Sequence, residues 1–269
     1  MSTNTIEKLD NDAVDIDTQT MNHLQATSIS GVITSLDKII AWSIEHKNRA
    51  GYFAALYRKV TIKIRDGIEK GEFEDGARME TLDVIFANRY LEAFEQYYNK
   101  QEMSKSWELA FQLAEKWEPI VLVHLMIGMN AHINLDLGIA AAQTVAPDKL
   151  PELRKDFEKI NSVLSNLVDD VQSELATIWP LFRFIDKLLG RTDEKLADFG
   201  MKVARDNAWK FAVDYSKSDD HNGTIKKMDC TVSLMGTLLT KPGLRLRLIY
   251  LLIRLGERQG IDKIIKILT

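Results

Sequence analysis

An unbroken apolar stretch that carries five polar side chains is the feature that most limits how this chain can fold. Residues 120–142 read IVLVHLMIGMNAHINLDLGIAAA and contain no Lys, Arg or Glu. A helix this apolar is expected to lie inside the protein. Its polar members are His124, Asn130, His132, Asn134 and Asp136. Burying these groups is costly unless each finds a partner, so the stretch predicts either an internal polar network or a functional site.

The same stretch is about long enough to cross a bilayer. Its polar side chains argue against a lone transmembrane helix, because each is expensive to place in lipid. The N-terminal residues 1–20 are acidic and polar, without the basic start and apolar core of a secretory signal. The single cysteine, Cys230, excludes an intrachain disulfide framework and fits a reducing compartment. We therefore expect a cytoplasmic protein.

Helical periodicity extends along nearly the whole chain, and no alternating strand or hairpin pattern interrupts it. The length of 269 residues suits one large domain. We predict an all-α fold, a single multi-helix bundle-like domain with a buried central helix. The predicted organisation is a flexible leader at 1–25, a helical domain at 26–240, and a basic amphipathic C-terminal helix at 241–269 that packs on the same domain.

The periodicity and the breaker residues set approximate helix limits. A central helix is expected to open at Pro119, and residues 216–223 form a loop by composition. The other predicted helices cover about 30–47, 49–70, 76–99, 105–117, 151–178, 182–189, 193–216, 224–239 and 244–268.

Acidic side chains fall on apolar helix faces at several places. On a helical wheel Asp83 and Asp156 lie within apolar faces, and Asp37 lies at the rim of one. His132 and Asp136 are spaced i,i+4 and project from one face, so they can share a metal ion or a proton. The concentration of acids on buried faces predicts that these groups converge.

The resulting site hypothesis names three groups of residues. The predicted metal ligands are His132, Asp136, Asp83, Asp156 and His124. The predicted catalytic residues are His132, Asp136 and Arg205, with Arg205 holding an anionic group, and the predicted substrate-binding residues are Asn130, Asn134 and Asp37. An oxygen-rich set with imidazoles suits zinc, iron, manganese or magnesium, and such a metal could supply a bound hydroxide. Without a metal, His132 tuned by Asp136 could act as an acid–base pair.

Two functions remain open from the residues alone. The first is a metal-assisted hydrolase or lyase acting on a small or lipid-like substrate. The second is a non-catalytic helical protein, binding a membrane surface or a partner, in which arginines such as Arg89, Arg154, Arg183 and Arg205 neutralise buried acids. A net charge of −4 gives no reason to expect nucleic acid. The oligomeric state stays open.

The C-terminal segment has a composition of its own. Residues 241–266 hold seven basic and two acidic side chains between leucines and isoleucines: Lys241, Arg245, Arg247, Arg254, Arg258, Lys263 and Lys266 against Glu257 and Asp262. A basic amphipathic helix can contact an anionic membrane, or it can close a core and leave its basic face in water. Both interpretations stay open.

Several blocks together resemble a known family. They are FAALYRKVT (53–61), LDVIFANRYLEAF (82–94), Trp107, GMNAHINLDL (128–137), the DFxxIN pattern from Asp156 and the ARxxAW pattern from Ala204. Over about residues 34–214 the chain resembles a bacterial all-helical domain family of unknown function, with GMNAHINLDL the most specific block. The resemblance implies a helical fold and polar family positions at His132, Asp136, Asp83, Asp156 and Arg205. It implies no activity.

Overall fold

Every regular element in the described part of the chain is helical, which confirms the predicted all-α class. The computed structural model describes residues 21–178, 192–241, 243–257 and 259–269. Its α-helices are α1 (Ile29–Glu45), α2 (Ala50–Glu69), α3 (Gly76–Tyr98), α4 (Lys105–Ala114), α5 (Val121–Ala131), α6 (Leu137–Thr144), α7 (Leu150–Ile178), α8 (Thr192–Ser216), α9 (His221–Thr240), α10 (Leu244–Gly256) and α11 (Ile261–Leu268). A short 3₁₀ turn, Pro147–Lys149, precedes α7.

The predicted central helix is present and buried, but it is not uniformly α-helical. A π-helical turn, His132–Asp136, joins α5 to α6, and the backbone N–H of Leu137 donates to the carbonyl of His132. Helices α2, α3, α4, α8 and α9 surround this central unit. π-helical turns are rare and are frequent at functional sites. Here the turn holds the histidine and the aspartate that the sequence paired.

Side-chain caps explain why several helices begin where they do. Ser28 caps α1, Asp75 caps α3 and Ser104 caps α4, each accepting from a backbone N–H in the first turn. Asp220 accepts from the backbone N–H of Gly223, so α9 begins at His221. The loop predicted at 216–223 is therefore shorter than composition alone indicates.

The N-terminal boundary of the domain lies earlier than predicted. Met21 and Leu24 are buried. The backbone N–H of Leu24 donates to Glu95 Oε1 (2.5 Å), and Ser35 Oγ donates to the Leu24 carbonyl (2.6 Å). Residues 21–25 therefore belong to the packed domain. The remainder of the predicted leader, 1–20, and the predicted helix at 182–189 lie outside the described residues.

The C-terminal segment packs on the domain as two helices rather than one. Helix α10 ends at Gly256, and α11 starts after Gly260. The buried face of α11, formed by Ile264, Ile265 and Leu268, contacts α1, α2 and α7. None of the described helices combines the length and the apolar character needed to cross a membrane.

Candidate functional site

A buried carboxylate with three donors forms the centre of the candidate site. Asp136 is 1% exposed. Its Oδ2 accepts from Trp107 Nε1 (2.9 Å) and lies 3.2 Å from His132 Nδ1, and its Oδ1 accepts from Arg89 Nε (2.9 Å). The donors come from α4, the π turn and α3. Three donors around one carboxylate compensate for its removal from water.

The contact with Asp136 fixes the orientation of the His132 ring. Because the Asp136 carboxylate accepts a hydrogen bond from the Nδ1–H group, the second ring nitrogen, Nε2, keeps its lone pair. This Nε2 is buried and has no hydrogen-bond partner. Burial lowers the pKa of His132, against the opposing effect of the hydrogen bond and charge of Asp136. The imidazole is therefore neutral at pH 7, with an unoccupied acceptor facing the interior.

Aromatic rings enclose the imidazole. Phe86 stacks on it, with ring centroids 3.6 Å apart and 9° between the planes, and the ring of Tyr57 meets it edge-on at 4.4 Å. Phe53, Tyr90 and Trp107 lie between 5.7 and 6.1 Å from it. Phe86 and Arg89 are only partly buried. Helix α3 is thus the layer between His132 and solvent.

Three further polar groups on α2 and α3 are buried without a hydrogen-bond partner: Asp83 Oδ2, the Tyr57 hydroxyl and the Tyr90 hydroxyl. The nearby Thr61 hydroxyl donates to the Tyr57 carbonyl instead (3.0 Å). Burial raises the pKa of Asp83 to about 7, and the charge of Glu80 adds to the effect. Burial also raises the pKa of Tyr57 well above its ordinary value, followed by the charges of Asp83 and Asp136. We call His132, Asp136, Arg89, Trp107, Asp83, Tyr57, Phe86 and Tyr90 the His132 cluster.

Asp156, one of the predicted metal ligands, does not join this cluster. Its carboxylate accepts from the backbone N–H groups of Glu74 (2.6 Å) and Asp75 (3.1 Å) and from Arg78 Nη2 (2.9 Å). These donors belong to the loop before α3 and to the first turn of α3. An acid on an apolar face here serves to fix a helix start. We call Asp156, Glu74, Asp75 and Arg78 the Asp156 clamp.

His124 belongs to a second buried group, two turns or about 12 Å away along the central helix. Its ring meets Tyr52 edge-on at 5.7 Å. Burial lowers the pKa of His124 to about 3, and the charges of Arg49 and Arg254 contribute. The neighbouring Glu257 accepts from the backbone N–H of Val121 (3.1 Å) and from Arg254 Nη1 (3.0 Å).

The predicted metal site does not fit the arrangement. Within the described ranges, no three His, Cys, Asp or Glu side chains come together in a way that could hold one metal ion. Asp156 and His124 are engaged elsewhere. The predicted zinc, iron, manganese or magnesium ion therefore has only His132 and Asp136 as adjacent donors, and Asp136 already has three partners.

The predicted substrate-binding residues lie outside the His132 cluster and contact other parts of the fold. Asp37 is half exposed on α1 and forms an ion pair with Arg58 (2.6 Å). Asn130 Nδ2 donates to the carbonyl of Val232 on α9 (2.9 Å), and Asn134 Nδ2 donates to Asn130 Oδ1 (3.2 Å). The two amides link the central helix to α9.

Arg205, which is predicted to hold an anionic group, contacts Phe157 on α7. Its Nη2 donates to the carbonyl of Phe157, and its guanidinium lies 4.5 Å from the centre of the Phe157 ring. Burial lowers the pKa of Arg205 to about 9. These contacts join α8 to α7, whereas the arginine that reaches Asp136 is Arg89.

Comparison with known proteins agrees with the sequence resemblance. Residues 29–242 match the profile of a family described as a family of unknown function, DUF5995. The chain belongs to this family. No curated protein and no solved structure matches it. The matched range runs from the start of α1 past the end of α9, so it includes the whole His132 cluster and excludes α10 and α11.

Within this DUF5995 region, the sequence analysis missed several members of the cluster. Arg89 is predicted only as a general partner for buried acids, Tyr57 and Trp107 appear only in family blocks, and Phe86 and Tyr90 are predicted only as apolar neighbours of Asp83 on its helix face. A usable signal exists on α3, where Asp83, Phe86 and Tyr90 are spaced three and four residues apart and so share a face. Its pairing with the central helix is a tertiary contact that spacing within one helix does not reveal.

Proposed function

We propose that the His132 cluster is a metal-independent acid–base site of a hydrolase or lyase. The observation that carries this proposal is the buried Nε2 of His132, which has no hydrogen-bond partner while Nδ1 is oriented by Asp136. A buried polar atom left unpaired costs free energy, so an unpaired one calls for a reason. A general base that waits for a substrate proton supplies that reason.

In the proposed reaction His132 is the base and Asp83 the acid. Nε2 takes a proton from the substrate or from water, and Asp136 stabilises the imidazolium that forms. Arg89 and Trp107 hold Asp136 in place. With a pKa of about 7, the Asp83 carboxyl retains its proton in a substantial fraction of molecules at neutral pH and can donate it to a leaving group.

The walls of the site favour a small, largely apolar substrate with an anionic group. Phe86 covers the imidazole from the solvent side, so a substrate would take the place of its ring. Arg89 uses Nε for Asp136, and its two Nη groups then remain for an anion. Arg89 therefore takes the role that the sequence predicted for Arg205. A cytoplasmic location, favoured by the single cysteine, is part of the same proposal.

The competing proposal is a non-catalytic protein in which the cluster is structural. Its support is the close packing of five aromatic rings around His132, which occupy the space that a substrate needs. In that case the contact between His132 and Asp136 only ties the π turn to α3 and α4 through Arg89 and Trp107.

The variant His132→Gln separates the two proposals. Glutamine has an amide N–H group that can donate to Asp136, but it has no nitrogen that can take up a proton as Nε2 does. A panel of small aromatic and aliphatic carboxylates, tested by ligand-detected NMR on the wild type, identifies binders and any turnover. The acid–base proposal expects His132→Gln to change the free energy of unfolding by less than about 1 kcal/mol and to abolish turnover.

The matched control is His124→Gln, which changes the other buried histidine of the central helix and should leave binding and turnover intact. Unfolding of His132→Gln beside a folded His124→Gln would favour the structural proposal. Equal turnover by wild type and His132→Gln would refute the acid–base proposal outright.

A further inference from the structure

Large apolar side chains that stay exposed are concentrated in one segment of the chain. Nine of the eleven exposed large hydrophobic residues in the described structure lie between positions 234 and 255: Leu234, Met235, Leu238, Leu239, Leu244, Leu248, Leu251, Leu252 and Leu255. Scattered exposed leucines need no explanation, but a concentration of this kind marks an interaction surface. We call these nine side chains the leucine face.

Helix α10 has two apolar sides, and the protein covers one of them. Ile253 is buried, and Ile249 and Tyr250 pack beside it against residues of α4 and α5. The five exposed leucines of α10 in the leucine face recur at intervals of four, three, one and three residues, which places them together on the other side of the helix. Leu252 is 65% exposed. The outer side therefore lacks an occupant in the described structure.

Helix α10 is also firmly attached, so its outer side is presented in a fixed orientation. Arg254 donates to the Trp117 carbonyl (2.6 Å) and to Glu257 (3.0 Å), and Glu257 accepts from the first N–H of α5 at Val121. Trp117 is itself half exposed, with the Arg254 guanidinium 5.0 Å from its ring centre. Tryptophan favours the boundary between apolar and aqueous phases.

The charge around the leucine face selects among possible occupants. Residues 221–256 contain six lysines and arginines and one acid, although the whole chain carries a net charge of −4. That acid, Asp229, is buried and accepts from the backbone N–H groups of Lys105 and Ser106. Lys241 and Arg247 are exposed beside the leucines. The surface is thus apolar at its centre and basic at its edge.

We propose that the leucine face binds the surface of an anionic membrane, with α10 lying in the plane of the headgroups. Leucines on one side of a helix with basic residues beside them are typical of helices that insert shallowly into such a surface. Anionic lipids on the cytoplasmic leaflet attract the exposed lysine and arginine side chains. This membrane contact is independent of the acid–base site and does not require it.

Vesicle flotation of the full chain tests this proposal. The wild type should float with vesicles of phosphatidylcholine and phosphatidylserine, and much less with phosphatidylcholine alone. Added salt should weaken the binding because it screens the basic residues. Leu252→Glu should weaken binding by at least about tenfold, since it places a charge where an apolar side chain enters the lipid.

Two matched controls lie elsewhere on the surface. Val203→Glu introduces the same charge at another exposed apolar residue, 40% exposed on α8, and should bind vesicles like the wild type. Arg247→Glu should bind more weakly than Lys210→Glu, which reverses an exposed charge on α8. Circular dichroism of all variants should be unchanged because these side chains are exposed.

Several results would overturn the membrane proposal. One is a wild type that does not float with anionic vesicles. Another is equal flotation of Leu252→Glu and Val203→Glu. A third is a wild type that is dimeric by light scattering while Leu252→Glu is monomeric, with no vesicle binding by either. The third result would assign the leucine face to contact between two copies of the chain.

Discussion

The Asp156 clamp and the His132 cluster both place an aspartate on an apolar helix face, yet they use it in opposite ways. Asp156 accepts from two backbone N–H groups and from Arg78, and these partners lie within one loop and the following helix turn. Asp136 also has three donors, but one of them, His132, has a second ring nitrogen, Nε2, that makes no hydrogen bond. Burial of polar groups alone therefore does not distinguish a structural tie from a candidate site.

The two regions differ in how many buried polar atoms lack a hydrogen-bond partner. In the His132 cluster these atoms are His132 Nε2, Asp83 Oδ2 and two tyrosine hydroxyls, whereas in the Asp156 clamp Arg78 Nε alone lacks one. Four unpaired polar groups in one cluster carry a larger cost in stability than the single one in the clamp. A loss of stability of this kind is common at functional sites.

The largest expected effect belongs to the clamp. Asp156→Ala removes one carboxylate from three donors, two of them backbone groups, and leaves the mostly buried Arg78 with only its longer contacts to Asp75 (4.0 Å) and Glu152 (3.9 Å). We expect a loss of about 3–5 kcal/mol in the free energy of unfolding, measured by urea denaturation.

The control for the clamp is Asp37→Ala, because Asp37 forms a half-exposed surface pair with Arg58. That variant should lose less than about 1 kcal/mol. Similar losses for both variants would mean that Asp156 contributes no more than a surface charge, and the comparison between the two regions would fail.

The next effect, on Asp83, depends on pH. Its folded-state pKa is raised from the ordinary value of 3.8 to about 7, so between these values the folded protein holds a proton that the unfolded chain releases. The stabilising contribution of the Asp83 proton to the free energy of unfolding is complete below about pH 4 and is lost as the pH rises to about 7. We expect Asp83→Asn to be more stable than the wild type by about 2–4 kcal/mol at pH 8 and equal to it near pH 4.

Urea denaturation of Asp83→Asn and wild type across this pH range measures the effect. The lowered pKa values of His132 and His124 destabilise both proteins at acid pH, and they cancel in the difference. A stability difference that does not change with pH would show that Asp83 is charged in the folded protein, which removes it as the acid of the proposed site.

The two regions also show which structural features can be predicted from the sequence and which cannot. The all-α class, the buried central helix and most helix limits follow from periodicity and capping residues, because these are local properties. The pair His132–Asp136 also follows, since its spacing lies within one helix. The π turn between them does not, as it adds one residue to a turn without any signature in hydrophobic spacing.

The partners of each buried acid could not be derived in the same way. Asp83, Asp136 and Asp156 share one pattern, an acid on an apolar face. In the folded protein Asp156 accepts from the loop before α3, whereas Asp83 lies close enough to Tyr57 for its charge to raise the pKa of Tyr57. That outcome depends on contacts between residues distant in the chain. Glu257 and Gly260 lie at the break between α10 and α11. This break was not predicted, because basic and apolar residues continue on both sides of it.

The smallest expected effect tests the meaning of an unpaired group most directly. Tyr90→Phe removes a buried hydroxyl that has no hydrogen-bond partner, and it keeps the ring that packs against Trp107 at 5.1 Å. We expect this variant to be as stable as the wild type or more stable by up to about 1 kcal/mol, because the hydroxyl loses water on folding and gains nothing in return.

Tyr97→Phe is the matched variant on the same helix. The Tyr97 hydroxyl accepts from Asn48 Nδ2 (2.8 Å) and donates to Glu115 Oε1 (3.1 Å), so its removal should cost about 1 kcal/mol. Thermal and urea unfolding of the two variants gives the sign of each change. If Tyr90→Phe lost as much stability as Tyr97→Phe, the Tyr90 hydroxyl would have a partner in solution. The His132 cluster would then resemble the Asp156 clamp, a network in which all but one of the buried polar atoms are paired and which holds helices together.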